Sequence, residues 1–138
     1  MNDRAFHILL VEDDAVDVMN VQRAFRKNNI ANPLYTAGDG IEALEALRSG
    51  KIPSTKRMIL LDINMPRMNG IEFLRELRAD PELSPTPVVV LTTSNEDKDK
   101  IEAYKLNVAG YLLKPVTFTN FVELMATLNK YWTLVEFP

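Results

Sequence analysis

The chain has 138 residues with 46% hydrophobic and 25% charged side chains, a formal charge of −3, no cysteine and one histidine. These figures predict one globular domain over residues 1–138, and they exclude disulfides, thiolate nucleophiles and multi-histidine metal sites. Scattered basic residues, the lack of an apolar run of roughly 20 residues and the lack of a signal pattern predict a cytoplasmic protein that binds neither nucleic acid nor membrane.

Strand-like and helix-like stretches alternate in the first half of the chain. Residues 8–11 form a continuous apolar run that is typical of a buried strand, and acidic residues follow it directly. Apolar residues at helical spacing predict a helix over about 16–28, and a short strand is expected over 33–37. Asp39 is placed to open a second helix, which ends near Gly50.

The second half of the chain continues this alternation around a central strand. Residues 58–61 are all apolar and run directly into Asp62, and turn-forming residues follow at once. The remaining predicted elements are a helix over 71–79, a strand over 88–91, a helix over 95–106, a strand over 109–113 and a helix over 117–130. Five strands alternating with five helices predict a doubly wound α/β fold with a parallel sheet and helices on both faces.

Polar residues follow four of the five predicted strands. Glu12 and Asp13 come after the first, Asp62 after the third, Thr92 after the fourth and Lys114 after the fifth. Because right-handed crossovers bring the carboxyl ends of parallel strands to one edge of the sheet, we expect these side chains to meet there. Three carboxylates in one crevice repel each other unless a cation neutralises them. Oxygen ligands without histidine or cysteine favour Mg²⁺ as that cation.

This set of residues fits the transfer of a phosphoryl group to a carboxylate. Asp62 is the candidate nucleophile because it ends the central strand, and its attack on phosphorus would give an acyl phosphate. The Lys114 ammonium and the Thr92 hydroxyl would neutralise the phosphoryl oxygens. The residues expected to hold Mg²⁺ are Asp13 and Asp62 directly, Glu12 directly or through water, and Asn64 through its backbone carbonyl.

Four motifs, in this order, resemble the receiver domain of two-component response regulators over about residues 7–130. They are LVEDD at 10–14, LDINMP at 61–66 with Gly70, LTTS at 91–94 and KP at 114–115. The resemblance implies a flavodoxin-like (βα)5 fold with strand order 2-1-3-4-5. It also implies phosphorylation of Asp62 by a sensor histidine kinase, with Mg²⁺ as the cofactor, which Mn²⁺ can replace.

The resemblance further assigns roles around the phosphorylation site. Thr92 and Tyr111 correspond to the switch pair, although a tyrosine on a last strand is also common as simple packing. Asn64 and Ser94 occupy positions that tune self-dephosphorylation in relatives. A cis peptide bond is implied between Lys114 and Pro115.

A narrower likeness lies in residues 64–67, 88–94 and 104–106 and in an aromatic tail that contains Trp132 and ends in Pro138. These stretches resemble the single-domain regulators that are paired with bacterial phytochromes, in which homodimers are common. An apolar segment over residues 131–138 is expected to extend past the last helix and to be buried in a symmetric homodimer. Folding back onto its own domain is the alternative. The apolar residues of this segment are Tyr131, Trp132, Leu134, Val135 and Phe137.

The predicted function is a phosphoacceptor that signals by contact with an unknown downstream protein and catalyses only its own phosphorylation and dephosphorylation. A docking module that is never phosphorylated is the first alternative. An aspartyl-phosphate phosphatase would need a second acid at the position of Asn64. A flavin mononucleotide carrier would need a phosphate-binding loop in place of the acidic residues 12–14.

Overall fold

The computed structural model describes residues 6–136 and residue 138, and five strands and five helices alternate along this part of the chain. The strands are β1 (His7–Val11), β2 (Leu34–Ala37), β3 (Arg57–Leu61), β4 (Val88–Thr92) and β5 (Gly110–Leu113). The helices are α1 (Ala15–Lys27), α2 (Gly40–Arg48), α3 (Gly70–Ala79), α4 (Asp97–Lys105) and α5 (Phe118–Leu134).

All five strands are parallel and lie in the order β2-β1-β3-β4-β5. The predicted α/β class and the strand order implied by the resemblance are therefore confirmed. Every residue of β3 and β4 is buried, because helices cover both faces of the sheet. This burial explains why residues 58–61 and 88–91 of these strands are continuous apolar runs in the sequence.

Two apolar cores lie on opposite faces of the sheet. One face packs against α2, α3 and α4, with Phe73 and Leu74 fully buried. The other packs against α1 and α5, with Phe25 and Met125 at its centre. Polar side chains cap the first turns of α1, α2, α3 and α5, whereas α4 has no side-chain cap. In α3 the side chains of Asn69 and Glu72 each accept from the other's backbone N–H, which satisfies two free donors.

The last helix is longer than predicted, and this corrects the view of residues 131–138 as a segment beyond it. Helix α5 runs to Leu134, so Tyr131, Trp132 and Leu134 belong to the helix. Trp132 is 1% exposed and its ring lies 5.8 Å from the Phe6 ring. The prediction that Trp132 is buried between two chains is therefore wrong, because its i+4 spacing from Leu128 continues the core face of the helix.

The other residues of this C-terminal segment lie on the surface. Leu134 is 85% exposed, and Tyr131 and Val135 are also exposed. Phe137 lies outside the described residues. Within residues 6–136 and 138, no helix combines the length and the apolar character that crossing a membrane would take.

The peptide bond between Lys114 and Pro115 is trans, since none of the described peptide bonds is cis. The cis bond implied by the resemblance is therefore corrected. The trans isomer is favoured by about 0.5–1 kcal/mol even before proline. With this trans bond, the Lys114 N–H donates to the Thr92 carbonyl at 2.8 Å, which continues the pairing of β4 with β5.

Candidate functional site

Three carboxylates meet at the carboxyl ends of β1 and β3, as the sequence predicts. Oxygens of Glu12, Asp13 and Asp62 all lie within 4.8 Å of one another. Glu12 and Asp62 are 5% and 4% exposed, whereas Asp13 faces solvent. Two buried acids with a third at the opening form a crevice of concentrated negative charge, which favours the entry of a cation.

The pairing of the strands fixes the backbone of the two buried acids. Val11 and Leu61 are partners in the register of β1 and β3, so the next residue on each strand is also adjacent. The Asp62 N–H donates to the Val11 carbonyl at 3.0 Å, and the Glu12 N–H donates to the Ala37 carbonyl at 2.9 Å. Because the backbones of both residues continue the hydrogen bonding of the sheet, the Cα atoms that carry the two carboxylates are held in fixed positions.

The Lys114 ammonium lies among these carboxylates, and its side chain is 7% exposed. Its Nζ is 2.5 Å from Glu12 Oε1, 2.7 Å from Asp17 Oδ2 and 3.4 Å from Asp62 Oδ2. Burial alone would lower the pKa of Lys114, but the hydrogen bonds to Asp17 and Glu12 and the charge of Asp62 outweigh burial and raise it. Lys114 is therefore a permanent positive charge beside the candidate nucleophile.

Asp17 is a further partner of Lys114, and the sequence did not indicate it. It lies in the first turn of α1, and its side chain is 22% exposed. The available signal was its position, because the first turn of α1 directly follows the acidic residues 12–14 at the end of β1. An acid in the first turn is also the ordinary partner of the helix dipole, and that role hid the contact with Lys114.

Burial raises the pKa of the Glu12 carboxyl to about 7. The hydrogen bond from Lys114 acts in the opposite direction, and the nearby charge of Asp62 adds to the rise. The charge of Glu12 consequently changes near neutral pH.

Thr92 and Tyr111 both form hydrogen bonds with Ser94, in the loop after β4. Thr92 is fully buried, and its hydroxyl oxygen accepts a hydrogen bond from the Ser94 N–H at 3.2 Å. The Tyr111 hydroxyl donates to the Ser94 carbonyl at 2.9 Å. The Ser94 hydroxyl donates to Asp99 at 2.5 Å, a contact that the sequence did not indicate. The assignment of Thr92 and Tyr111 as a switch pair stays a prediction.

The loop that carries Asn64 is tied to the start of α2. The Asn64 N–H donates to Asp62 Oδ1 at 3.3 Å, while the side chain is exposed. Further along this loop, Arg67 has a φ of 61° and donates from Nε to the buried Asp39 carboxylate at 2.6 Å. A positive φ is unfavourable for arginine, and this ion pair offsets its cost while holding the loop beside the cluster.

Replacing Gly70 by Ala is expected to destabilise the protein by about 1–3 kcal/mol, since an added Cβ would overpack the site. That Cβ would lie 2.4 Å from the Asp62 carbonyl oxygen and 2.8 Å from Ile63 Cα. Urea unfolding measures the loss. Gly110→Ala is the control, because its Cβ would meet no atom within 4 Å. Equal stability of the two variants would contradict the close approach at Gly70.

The residues present fit a hard divalent cation. Glu12, Asp13 and Asp62 offer oxygen atoms alone, two of these acids are buried, and the Lys114 ammonium neutralises only part of their charge. Such a donor set suits Mg²⁺ or Mn²⁺, with the Asn64 carbonyl as the further ligand that the sequence analysis proposed.

Comparisons with known proteins show which family this chain resembles. The family model described as the response regulator receiver domain matches residues 8–126. The chain is 38% identical over 129 residues to the probable methanogenesis regulatory protein FilR2 of Methanothrix harundinacea, covering 92% of this chain and 83% of FilR2. It is 36% identical over 128 residues to the response regulator Rcp1 of Synechocystis, covering 91% of this chain and 87% of Rcp1.

Solved structures give the same result in three dimensions. The phosphorylated cyanobacterial phytochrome response regulator RcpA superposes with a TM-score of 0.86 at 33% identity, covering 97% of this chain and 99% of RcpA. The Mn²⁺-bound form of Rcp1 superposes with a TM-score of 0.83 at 35% identity, covering 96% of this chain and 99% of Rcp1.

Proposed function

Because this chain belongs to the response regulator receiver family, we propose that Asp62 accepts a phosphoryl group from a sensor histidine kinase and that the phosphorylated chain signals by protein contact. One observation carries the proposal. The buried Asp62 carboxylate ends the central strand with two further acids within 4.8 Å and the Lys114 ammonium at 3.4 Å. Burying several carboxylates this close together costs free energy, and such a cluster is expected where a bound ligand uses its charge.

The chemistry needs little from the protein beyond positioning and charge. An Asp62 oxygen attacks phosphorus and forms an O–P bond, while the bond from phosphorus to the donor's leaving atom breaks and that atom keeps the electron pair. Bound Mg²⁺ would neutralise phosphoryl oxygens, held by the Glu12 and Asp13 carboxylates, by Asp62 and by the Asn64 carbonyl. Lys114, whose Nζ lies 3.4 Å from Asp62 Oδ2, would donate to a phosphoryl oxygen.

Similarity to RcpA supports a phytochrome as the kinase. RcpA is described as a phytochrome response regulator, and it matches nearly the whole of this chain. The kinase partner of this chain would then carry a light-sensing domain, and transfer from a phosphohistidine of that kinase would load Asp62. Rcp1 was crystallised with Mn²⁺, which supports a site that takes either Mg²⁺ or Mn²⁺.

Incubation with acetyl phosphate tests the proposal without knowledge of the kinase. Intact-mass measurement should show the gain of one phosphoryl group in the presence of Mg²⁺ and no gain after chelation of the metal with EDTA. A mass that never changes, with either Mg²⁺ or Mn²⁺, would contradict phosphorylation and favour the docking module.

Mg²⁺ affinity is expected to fall as the pH is lowered through about 7. Below that pH the Glu12 carboxyl holds a proton, which competes with the cation, because burial raises the pKa of Glu12 to about 7. The loss should be roughly tenfold between about pH 8 and about pH 6, measured by calorimetric titration. Glu12→Gln should bind more weakly and with a flatter pH profile. A wild-type affinity that is constant over this range would contradict the role of Glu12.

A homodimer through the C-terminal residues stays a prediction, now limited to the exposed side of α5. Leu134 is 85% exposed, and Tyr131 and Val135 extend the same apolar surface. Light scattering should show a dimer for the wild type and a monomer for Leu134→Glu. Ile41→Glu, on α2 at the opposite face of the sheet, is the control and should remain dimeric. A wild type that is monomeric at all concentrations would contradict the dimer.

A further inference from the structure

The contacts of Lys114 are shared among three carboxylates on three elements. An ammonium has three N–H donors, and here they face Glu12 at 2.5 Å, Asp17 at 2.7 Å and Asp62 at 3.4 Å. The first two distances are those of short charge-assisted hydrogen bonds, and the third is long. Lys114 is thus bound most tightly by the two acids that are not the phosphorylation site.

Attachment of a phosphoryl group to Asp62 changes this balance. The group adds close to two negative charges and three strong acceptor oxygens beside Asp62. A charge-assisted bond from Lys114 to one of those oxygens would have a length of about 2.7–2.9 Å, but Glu12 and Asp17 already bind the ammonium at 2.5 and 2.7 Å. Asp17 Oδ2 therefore competes with the phosphoryl group for Lys114.

Asp17 differs from Glu12 in having no role in the carboxylate cluster other than this contact. It lies outside the group of oxygens that are within 4.8 Å of one another, and its partner Lys114 follows β5, 97 residues away. We propose that Asp17 is a positioning residue that holds Lys114 away from Asp62 and has to release it on phosphorylation. This inference rests on the proposed function, because it assigns a restraint on the same site.

The expected effect is that Asp17→Asn favours the phosphorylated form. Beryllium fluoride serves as the probe, since it mimics a phosphoryl group on a carboxylate, and ¹⁹F NMR reads its binding at saturating Mg²⁺. Asp17→Asn should bind the probe about three- to tenfold more tightly than the wild type, which is the range for losing one competing, partly buried ion pair.

Asp14→Asn is the matched control for charge. Asp14 is exposed, lies in the same acidic stretch and caps α1 by accepting from the Val16 and Asp17 N–H groups, a cap that asparagine also makes. Its substitution removes one negative charge without touching Lys114 and should tighten binding by less than about twofold.

A double-mutant cycle with Lys114→Met separates a specific contact from general charge. In the Lys114→Met background, Asp17→Asn should change the affinity for the probe no more than Asp14→Asn does. Two results would overturn the inference. One is an Asp17→Asn effect of the same size in the Lys114→Met background. The other is an affinity of the Asp17→Asn single variant for beryllium fluoride that is no higher than that of the wild type. If the wild type itself neither binds the probe nor gains a phosphoryl group, the proposed function fails instead.

Discussion

Asp62→Asn should show no mass gain with acetyl phosphate and Mg²⁺, under conditions in which the wild type gains one phosphoryl group. The neutral amide has no anionic oxygen to attack phosphorus, so the acyl phosphate cannot form. The substitution also removes one of three mutually repelling carboxylates. The variant should therefore be at least as stable as the wild type without metal, as its melting temperature will show.

Asp97→Asn is the control for this experiment, because Asp97 is an exposed carboxylate in the first turn of α4, outside the cluster. It should gain the phosphoryl group as the wild type does. A phosphorylated Asp62→Asn protein would show that another residue accepts the group, and a melting temperature well below that of the wild type would show that Asp62 is needed for the fold.

Trp132→Ala should destabilise the protein by about 3–5 kcal/mol, the range for removing a large buried aromatic side chain. Trp132 is 1% exposed, and its ring lies 5.8 Å from Phe6 and 5.9 Å from Phe25. Its Nε1 also donates to Asn129 Oδ1 at 2.8 Å. The free energy of unfolding from urea titration measures the loss.

Leu134→Ala provides the comparison within the same helix. Its side chain is 85% exposed, so its removal should change the free energy of unfolding of the folded chain by less than about 0.5 kcal/mol. If Trp132→Ala were as mild as Leu134→Ala, the end of α5 would not be part of the core. The tryptophan would then be free for the intermolecular contact that the sequence first suggested.

The sequence predicted the architecture because the apolar runs of β1, β3 and β4 are specific to strands buried on both faces. Once those strands were identified, the topology brought Glu12, Asp13 and Asp62 to one edge, and the structure confirms that these acids meet there. The predicted end of the last helix, near residue 130, is too early. The aromatic composition of residues 131–138 suggests a separate apolar segment, although Trp132 continues the helical spacing of the core positions.

The contacts that the sequence did not reveal are pairings between side chains far apart along the chain. Asp17 and Lys114 are 97 residues apart, and Arg67 reaches Asp39 across two loops. Charged residues such as these are usually solvated, and nothing in their local sequence distinguishes a partner from a free side chain. The choice between cis and trans before Pro115 depends in the same way on packing that the motif does not encode.

The most direct test of the central claim is to locate the phosphoryl group on the chain. After phosphorylation with acetyl phosphate and Mg²⁺, borohydride reduction converts an aspartyl phosphate to homoserine, and peptide mass spectrometry identifies the converted position. Homoserine at position 62 alone is the predicted result. Homoserine at position 13 or another acid, or a stable phosphate on a serine, threonine or histidine, would contradict the assignment of Asp62 as the phosphoacceptor.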